Sequence, residues 1–522
     1  MRLNRNYSPS LLSASFAMNS SSSHQEDSFQ EVLSAFENIK LADREDPYPL
    51  WRVRAQRLMQ LEKLIVENKE ALSQSINEDF GHRSSSQTLL LDIYPTLSFI
   101  RSLIKDGEGW MKPRNKGVDS LFFPAKGYLL PQPKGVVGIM TTWNYPIYLS
   151  LGPTAQAVAA GNRVMLKLSE QTPKFSLLMK DLISRYFNPR EICPILGDLN
   201  VAKKFATLPF DHLMFTGSPL TGKKILAAAA ESLTPVTLEL GGKSPAVISP
   251  SYPLNKAADR ILFAKLINAG QTCIAPDYVL VENRSIPRLL GLLKESAQKL
   301  FPQAIDDSEY TSVINGKEFD RLVNYLQEVQ NESKIENLFT GEQINLANRK
   351  LAPQAVVNPP LTSKLMQHEI FGPILPIIGY PEGRMDVAMD FVSARHHPLS
   401  IYLFEDNLER RKQFIQFTRC GGMTIDDTLW HAMQSTLPFG GVGNSGMGVW
   451  RGKEGFDQFS HLKPIFEQSR FSLITKIDNP LGSKAMKLVQ KIVVSGSYPQ
   501  KEQVLQLVRN TVKNIIGPSK KE

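Results

Sequence analysis

From residue 27 to about residue 105 apolar residues recur at helical spacing. Phe29, Leu33, Phe36 and Ile39 fall on one face, as steps of three and four on a 3.6-residue turn require. Residues 52–79 read as one long amphipathic helix. From residue 127 the texture changes. GYLLPQPKGVVGIMTTWNYP and NRVMLKLSE hold short β-branched runs, each followed by a helix-like segment. The rhythm returns in DHLMFTGSPLTGKKILAAAA, and the short apolar run VTLELGG precedes a helical stretch over 253–269. Strands alternating with helices predict a parallel α/β sheet. No tandem repeat interrupts the pattern. After residue 463 two amphipathic segments are expected, 485–494 and 500–516, the second with a stripe of Val504, Val508, Val512 and Ile515.

Composition narrows the class. The 522 residues suit two or three domains. A 42% hydrophobic fraction excludes a chain disordered throughout. Three cysteines cannot supply a disulfide framework, and no apolar run approaches the ~20 residues of a membrane span. The net charge of +9 is unevenly placed: residues 471–522 hold nine Lys/Arg against three acids. A near-neutral body argues against a nucleic-acid partner. The basic tail is expected to dock on the protein itself or on a partner subunit, with peripheral contact to an anionic membrane or poor order as alternatives. Residues 1–27 are polar and serine-rich, with Arg2 and Arg5 ahead of the first acid, Glu26. They read as a disordered leader, an organellar targeting peptide, or a stretch preceding the true start at Met18.

Three features carry chemistry. Cys193 and Cys420 have the setting of core fillers, whereas Cys273 follows the small residues Gly270, Gln271 and Thr272 and precedes an apolar strand. A thiol exposed at such a junction can meet a substrate, and nearby amides can lower its pKa. Glu239 lies in an apolar strand immediately before Gly241–Gly242. It is either a carboxylate bonded to backbone amides or a general base tuned by its surroundings. In FTGSPLTG, Gly217 and Gly222 bracket a strand-to-helix turn that can bring amides to a phosphate, although no GxGxxG fingerprint is present. No Cys/His cluster has metal-site spacing, so no metal is expected.

In combination these segments resemble the aldehyde dehydrogenase superfamily. The order TTWNYP (141–146), MLKLSEQTP (165–173), FTGSPLTG, LELGGKSP, GQTCIAPD, HEIFGPILP (368–376) and PFGGVGNSGMG (438–448) matches it. GQTCIAPDYVLVE, and PFGGVGNSGMG followed by GKEGFDQFSH, resemble the coniferyl aldehyde dehydrogenase type. The resemblance implies a Rossmann-like cofactor domain, an α/β catalytic domain and a small bridging element. It implies Cys273 as nucleophile, Asn144 as side-chain donor of the oxyanion hole, and Glu239 as the base that activates water. Lys167 and Glu170 would bind the adenosine ribose, with Glu170 favouring NAD over NADP. Gly217, Ser218 and Gly222 belong to the pyrophosphate turn, and Glu369 with Phe371 to the nicotinamide ribose site.

The implied boundaries are 28–115 with 135–241 for the cofactor domain, 242–451 for the catalytic domain, and 116–134 with 452–470 for the bridging, oligomerising element. A homodimer in the cytoplasm is the expected form, with an organelle or a membrane surface as alternatives. Tyr148, Leu149, Trp430 and His431 are candidates for the substrate tunnel, Trp430 having core packing as its other reading. Aromatic walls would suit an aryl aldehyde such as coniferyl aldehyde or a medium- to long-chain aliphatic one. An enzyme passing its thioester to coenzyme A, and a non-catalytic binding protein on the same fold, are the competing readings.

Overall fold

In a computed structural model of the chain, which describes residues 28–119, 122, 124–470 and 493–494, the N-terminal stretch forms the helices Phe29–Glu45, Trp51–Glu67 and Lys69–Phe80. Ser28 and Glu31 close a reciprocal capping box at the first, and Val32, Phe36 and Ile39 bury its apolar face. The single helix expected over 52–79 is instead two. Asn68 leaves helical geometry (φ −121°, ψ 17°), and its amide donates to the Leu64 carbonyl (2.8 Å) and the Tyr186 hydroxyl (3.2 Å). A short polar side chain that bonds its own backbone competes with the helix.

The predicted strand–helix alternation builds two sheets. The first has six strands in the order Gly446–Met447, Val236–Leu240, His212–Gly217, Val136–Met140, Arg163–Lys167, Ile192–Ile195. All neighbours are parallel except the first pair. The chain winds outward from Val136–Met140 to Ile192–Ile195, then returns to its other side at His212–Gly217. That reversal opens a crevice at the carboxyl ends of the two central strands. The edge strand Gly446–Met447 comes from the glycine-rich segment assigned by sequence to the catalytic part. It pairs Gly446 with Glu239.

The second sheet has seven strands: Lys334–Asn337, Gln354–Val357, Ile374–Tyr380, Tyr278–Glu282, Pro245–Ile248, Ser400–Phe404, Gly422–Ile425. Its central strands are wholly buried, as parallel strands covered on both faces must be. A three-stranded antiparallel sheet joins Arg114–Lys116, Lys126–Pro133 and Ser460–Glu467, bringing together segments far apart in sequence. Among the described residues no helix is long and apolar enough to cross a membrane. The leader 1–27 and the expected tail helices 485–494 and 500–516 lie outside the described residues, apart from 493–494.

Candidate active site

The helix expected over 253–269 ends early, at Leu254–Leu266. Three successive residues then take left-handed backbone: Asn268 (φ 52°), Ala269 (φ 51°) and Gly270 (φ 74°). For a residue with a Cβ that conformation costs about 1–2 kcal/mol, so the surroundings must hold it. The Gln87 side chain accepts the Asn268 N–H (2.8 Å). Gln271 donates to the Asn268 and Ser312 carbonyls (3.0 Å each) and accepts from the Ile314 N–H (2.9 Å). The Tyr145 and Thr272 hydroxyls meet at 2.5 Å. Cys273 emerges from this clamped turn half-buried. At Gly270 a side chain would run into the Gly372 carbonyl as well as strain the backbone. Gly270→Ala should therefore lower stability by about 1–3 kcal/mol, read as a fall in melting temperature. An unchanged melt would contradict this account of the turn.

Asn144 follows the strand Val136–Met140 and is buried. Its amide donates to the Gln271 carbonyl (3.1 Å), two residues before Cys273. Its own carbonyl accepts from Arg83 (2.9 Å) and Asn268 (3.0 Å). Arg83 pairs with Asp92 at 3.0 Å, both fully buried, and Asp92 accepts the Tyr148 N–H (2.8 Å). One buried polar network thus fixes Asn144, the cysteine turn and the start of the helix Pro146–Ala159 relative to each other.

Glu239 is 4% exposed, and neither carboxylate oxygen has a hydrogen-bond partner. Burial raises its pKa well above the ordinary carboxylate range, and the charge of Arg451 works the other way. The backbone-bonded reading of this residue therefore does not hold. Burial also pushes the Cys273 thiol up, joined by the charges of Glu369 and Glu239 and opposed by the amides of Cys273 and Ile274. The amides act in the expected direction, but burial and two carboxylates outweigh them. Glu369 is raised to about 8 by burial and Asp277, against the Gly242 amide, Lys243 and Arg321. Its carboxylate lies over Gly241, where any side chain would collide with it. The Gly-Gly turn thus lets a carboxylate close over the backbone. Asp277 is held by Lys243 and by the Ile370 N–H (2.9 Å).

The residues at the sheet crevice fit a dinucleotide. Ser218 caps the helix Pro219–Ala230, accepting the Thr221 N–H (3.3 Å), so that helix presents its amino end beside Gly217. Gly222 packs the helix against the neighbouring strand, where a Cβ would stand 2.7 Å from Leu240. Two strands over from His212–Gly217, Lys167 is buried with its ammonium 3.4 Å from the half-exposed Glu170 carboxylate. Phe371, at φ 48°, sets its ring edge-on to Trp143 (5.5 Å).

The tunnel candidates separate. Tyr148 is half-buried, its hydroxyl accepting from Arg451 (2.7 Å) and its ring 5.4 Å from Trp450. Leu149 packs in the hydrophobic core. Trp430 is 42% exposed and stacks on Phe263 at 6.4 Å, so it is no core residue. His431 has both ring nitrogens occupied by the Thr424 and Ser400 hydroxyls (2.7 and 3.0 Å), and burial with Arg451 lowers its pKa to about 4. Its imidazole ties the strands Ser400–Phe404 and Gly422–Ile425 together. Reading the sequence missed Arg451, Asn268 and the Arg83–Asp92 pair, since no local pattern marks them.

The profile of the aldehyde dehydrogenase family matches residues 26–465. A probable coniferyl aldehyde dehydrogenase of Pseudomonas aeruginosa is 43% identical over 465 residues, 89% of this chain and 96% of that protein. A coniferyl aldehyde dehydrogenase of a Pseudomonas species is 40% identical, over 84% of this chain and 91% of that one. Among solved structures, the substrate-bound state of Staphylococcus aureus AldH superposes with a TM-score of 0.83 at 33% identity, covering 88% of this chain and 99% of that one.

Proposed function

The chain belongs to the aldehyde dehydrogenase family and is an NAD(P)-dependent enzyme of it, and from that premise we propose that Cys273 is the nucleophile, Asn144 the oxyanion donor and Glu239 the base for hydrolysis. The observation that carries this reading is a buried carboxylate with no partner, whose charge acts on a half-buried thiol in a turn bonded to Asn144. Bound NAD(P) supplies the hydride acceptor. Lys167, Glu170, Gly217, Ser218 and Gly222 would hold its adenosine and pyrophosphate, and Glu369 with Phe371 its nicotinamide end. The Cys273 thiol gives its proton to solvent, and the thiolate attacks the aldehyde carbon, giving a thiohemiacetal. The Asn144 amide and the Cys273 N–H stabilise the oxygen that gains charge. After oxidation to the thioester, Glu239 takes a proton from water, whose oxygen attacks the acyl carbon. The C–S bond breaks and the acid leaves. A base placed for water favours acid over acyl-CoA as product.

The substrate is proposed to be an aryl aldehyde such as coniferyl aldehyde. Support comes from the names of the similar Pseudomonas proteins and from the aromatic faces of Tyr148, Phe263 and Trp430. NAD is the proposed cofactor, because the Glu170 carboxylate would repel a 2′-phosphate. The three-part domain division, a homodimer built on the three-stranded sheet and a cytoplasmic location complete the proposal. The test is a panel of aryl, short and medium- to long-chain aliphatic aldehydes with NAD and NADP, with products identified. Coniferyl aldehyde with NAD should give coniferyl-type acid at a kcat/KM at least about tenfold above short aliphatic aldehydes. A medium-chain aldehyde ranking first would overturn the substrate proposal, and acyl-CoA as the product would overturn hydrolysis.

A further inference from the structure

Glu369 and Phe371 stand in a stretch, 368–373, that is neither helix nor strand. It runs between the helix Lys364–Gln367 and the strand Ile374–Tyr380. Backbone there must find its hydrogen-bond partners elsewhere, and an ion pair supplies them. A lysine ammonium has three protons to donate. Those of Lys243 meet the Asp277 carboxylate and the Leu365 and His368 carbonyls (2.8 Å each). The second oxygen of Asp277 accepts the Ile370 N–H (2.9 Å). The His368 carbonyl and the Ile370 N–H belong to the two peptide units on either side of the Glu369 Cα, so both units are held. Arg321 takes the next carbonyl, that of Ile370 (2.9 Å).

Both side chains of the pair are largely buried. A buried ion pair is a weak source of stability; what this one does is set a geometry. Lys243 follows Glu239 by four residues, and Asp277 follows Cys273 by four. The Asp277 N–H also donates to the Ser244 carbonyl (2.7 Å). The pair therefore ties together the chain beyond the base and the chain beyond the nucleophile. The stretch that it grips touches three parts of the site. The Glu369 carboxylate lies over Gly241, the Phe371 ring meets Trp143 beside Asn144, and the Gly372 carbonyl lies against Gly270 in the cysteine turn.

Resting on the assignment of Glu369 to the nicotinamide end of the cofactor, we propose that Lys243 and Asp277 are positioning residues for NAD(P), their ion pair fixing both peptide units beside Glu369 so that its carboxylate stands over the Gly241 turn to receive that end of the cofactor. With its three protons spent, Lys243 has none to give the cofactor itself, so it acts through Glu369.

The experiment is a direct titration of the free enzyme with NAD, with the KM for aldehyde measured alongside, on wild type, Lys243→Met, Glu369→Gln and the double variant. Lys243→Met should weaken NAD binding at least about tenfold, the scale of one hydrogen bond to a charged group, and leave the KM for aldehyde within about twofold of wild type. In the Glu369→Gln background the same change should weaken NAD less than about threefold, because the carboxylate that it positions is gone. NAD binding as tight as wild type in Lys243→Met, or an equal loss with and without Glu369, would overturn the proposal. Lys243→Met strands the Asp277 charge in the interior. Should it not fold, Lys243→Met with Asp277→Asn removes both charges and takes its place in the same cycle, with the same expected and overturning results. Glu369→Gln alone separates the two levels of inference. Wild-type NAD affinity there would refute the role of Glu369, whereas affinity lost there but kept in the Lys243 variant removes only the part of the ion pair.

Discussion

Cys273→Ala is expected to abolish aldehyde-dependent NADH formation, by at least about 10⁴-fold, the scale on which loss of a covalent nucleophile is felt. The structure offers no substitute. Cys193 is buried in the strand Ile192–Ile195, on the far edge of the cofactor sheet. Cys420 has its thiol directed to the Gly422 carbonyl (3.1 Å) and pushed up to about 11 by burial. Alanine at position 273 removes a sulfur from a half-buried site without disturbing the clamp made by Gln271, Asn268 and Gln87, so cofactor binding and melting temperature should stay near wild type. Steady-state NADH production and cofactor binding, measured on the same preparation, check this. Turnover within tenfold of wild type would refute both the nucleophile and, with it, the thioester route.

Glu239→Gln should slow acid release by about 10²- to 10⁴-fold, the usual contribution of a positioned base. The amide is nearly isosteric, and in the wild type neither carboxylate oxygen makes a hydrogen bond that the change would break. The defect should fall on hydrolysis, leaving a burst of NADH followed by slow turnover. The pH dependence follows from the raised pKa. Glu239 works as a base when ionised, so wild-type acid release should fall as pH drops through that raised value, and the limb should disappear in Glu239→Gln. Quenched-flow separation of NADH and acid checks both. Acid release at the wild-type rate would place the base elsewhere.

Much of the fold is legible because strand–helix alternation is a local signal. The runs around Val136–Met140, Arg163–Lys167, His212–Gly217 and Val236–Leu240 show it plainly. Cys273, Glu239 and Asn144 stand in segments whose resemblance to a family points to them. What stayed hidden depends on distant contacts. The break at Asn68 rests on a tyrosine from another helix. The left-handed Asn268 and Ala269 have no turn-forming glycine or proline at their own positions, and Gln87 and Ser312 hold them from elsewhere in the chain. The edge strand Gly446–Met447 is too short to announce itself by periodicity. His431 is aromatic and polar, as a tunnel residue would be, yet it is spent on two hydroxyls. Arg451 is marked by burial, which charge composition argues against rather than for.

The central claim is that the aldehyde carbon becomes an acyl group on Cys273 and that Glu239 removes it. Intact-protein and peptide mass spectrometry of Glu239→Gln, quenched after one turnover with NAD and an aryl aldehyde, tests that claim most directly. The expected adduct equals the aldehyde mass less two hydrogens, is confined to the peptide carrying Cys273 and is absent from Cys273→Ala. An adduct on another residue, or acid formation with no adduct at any time point, would contradict it.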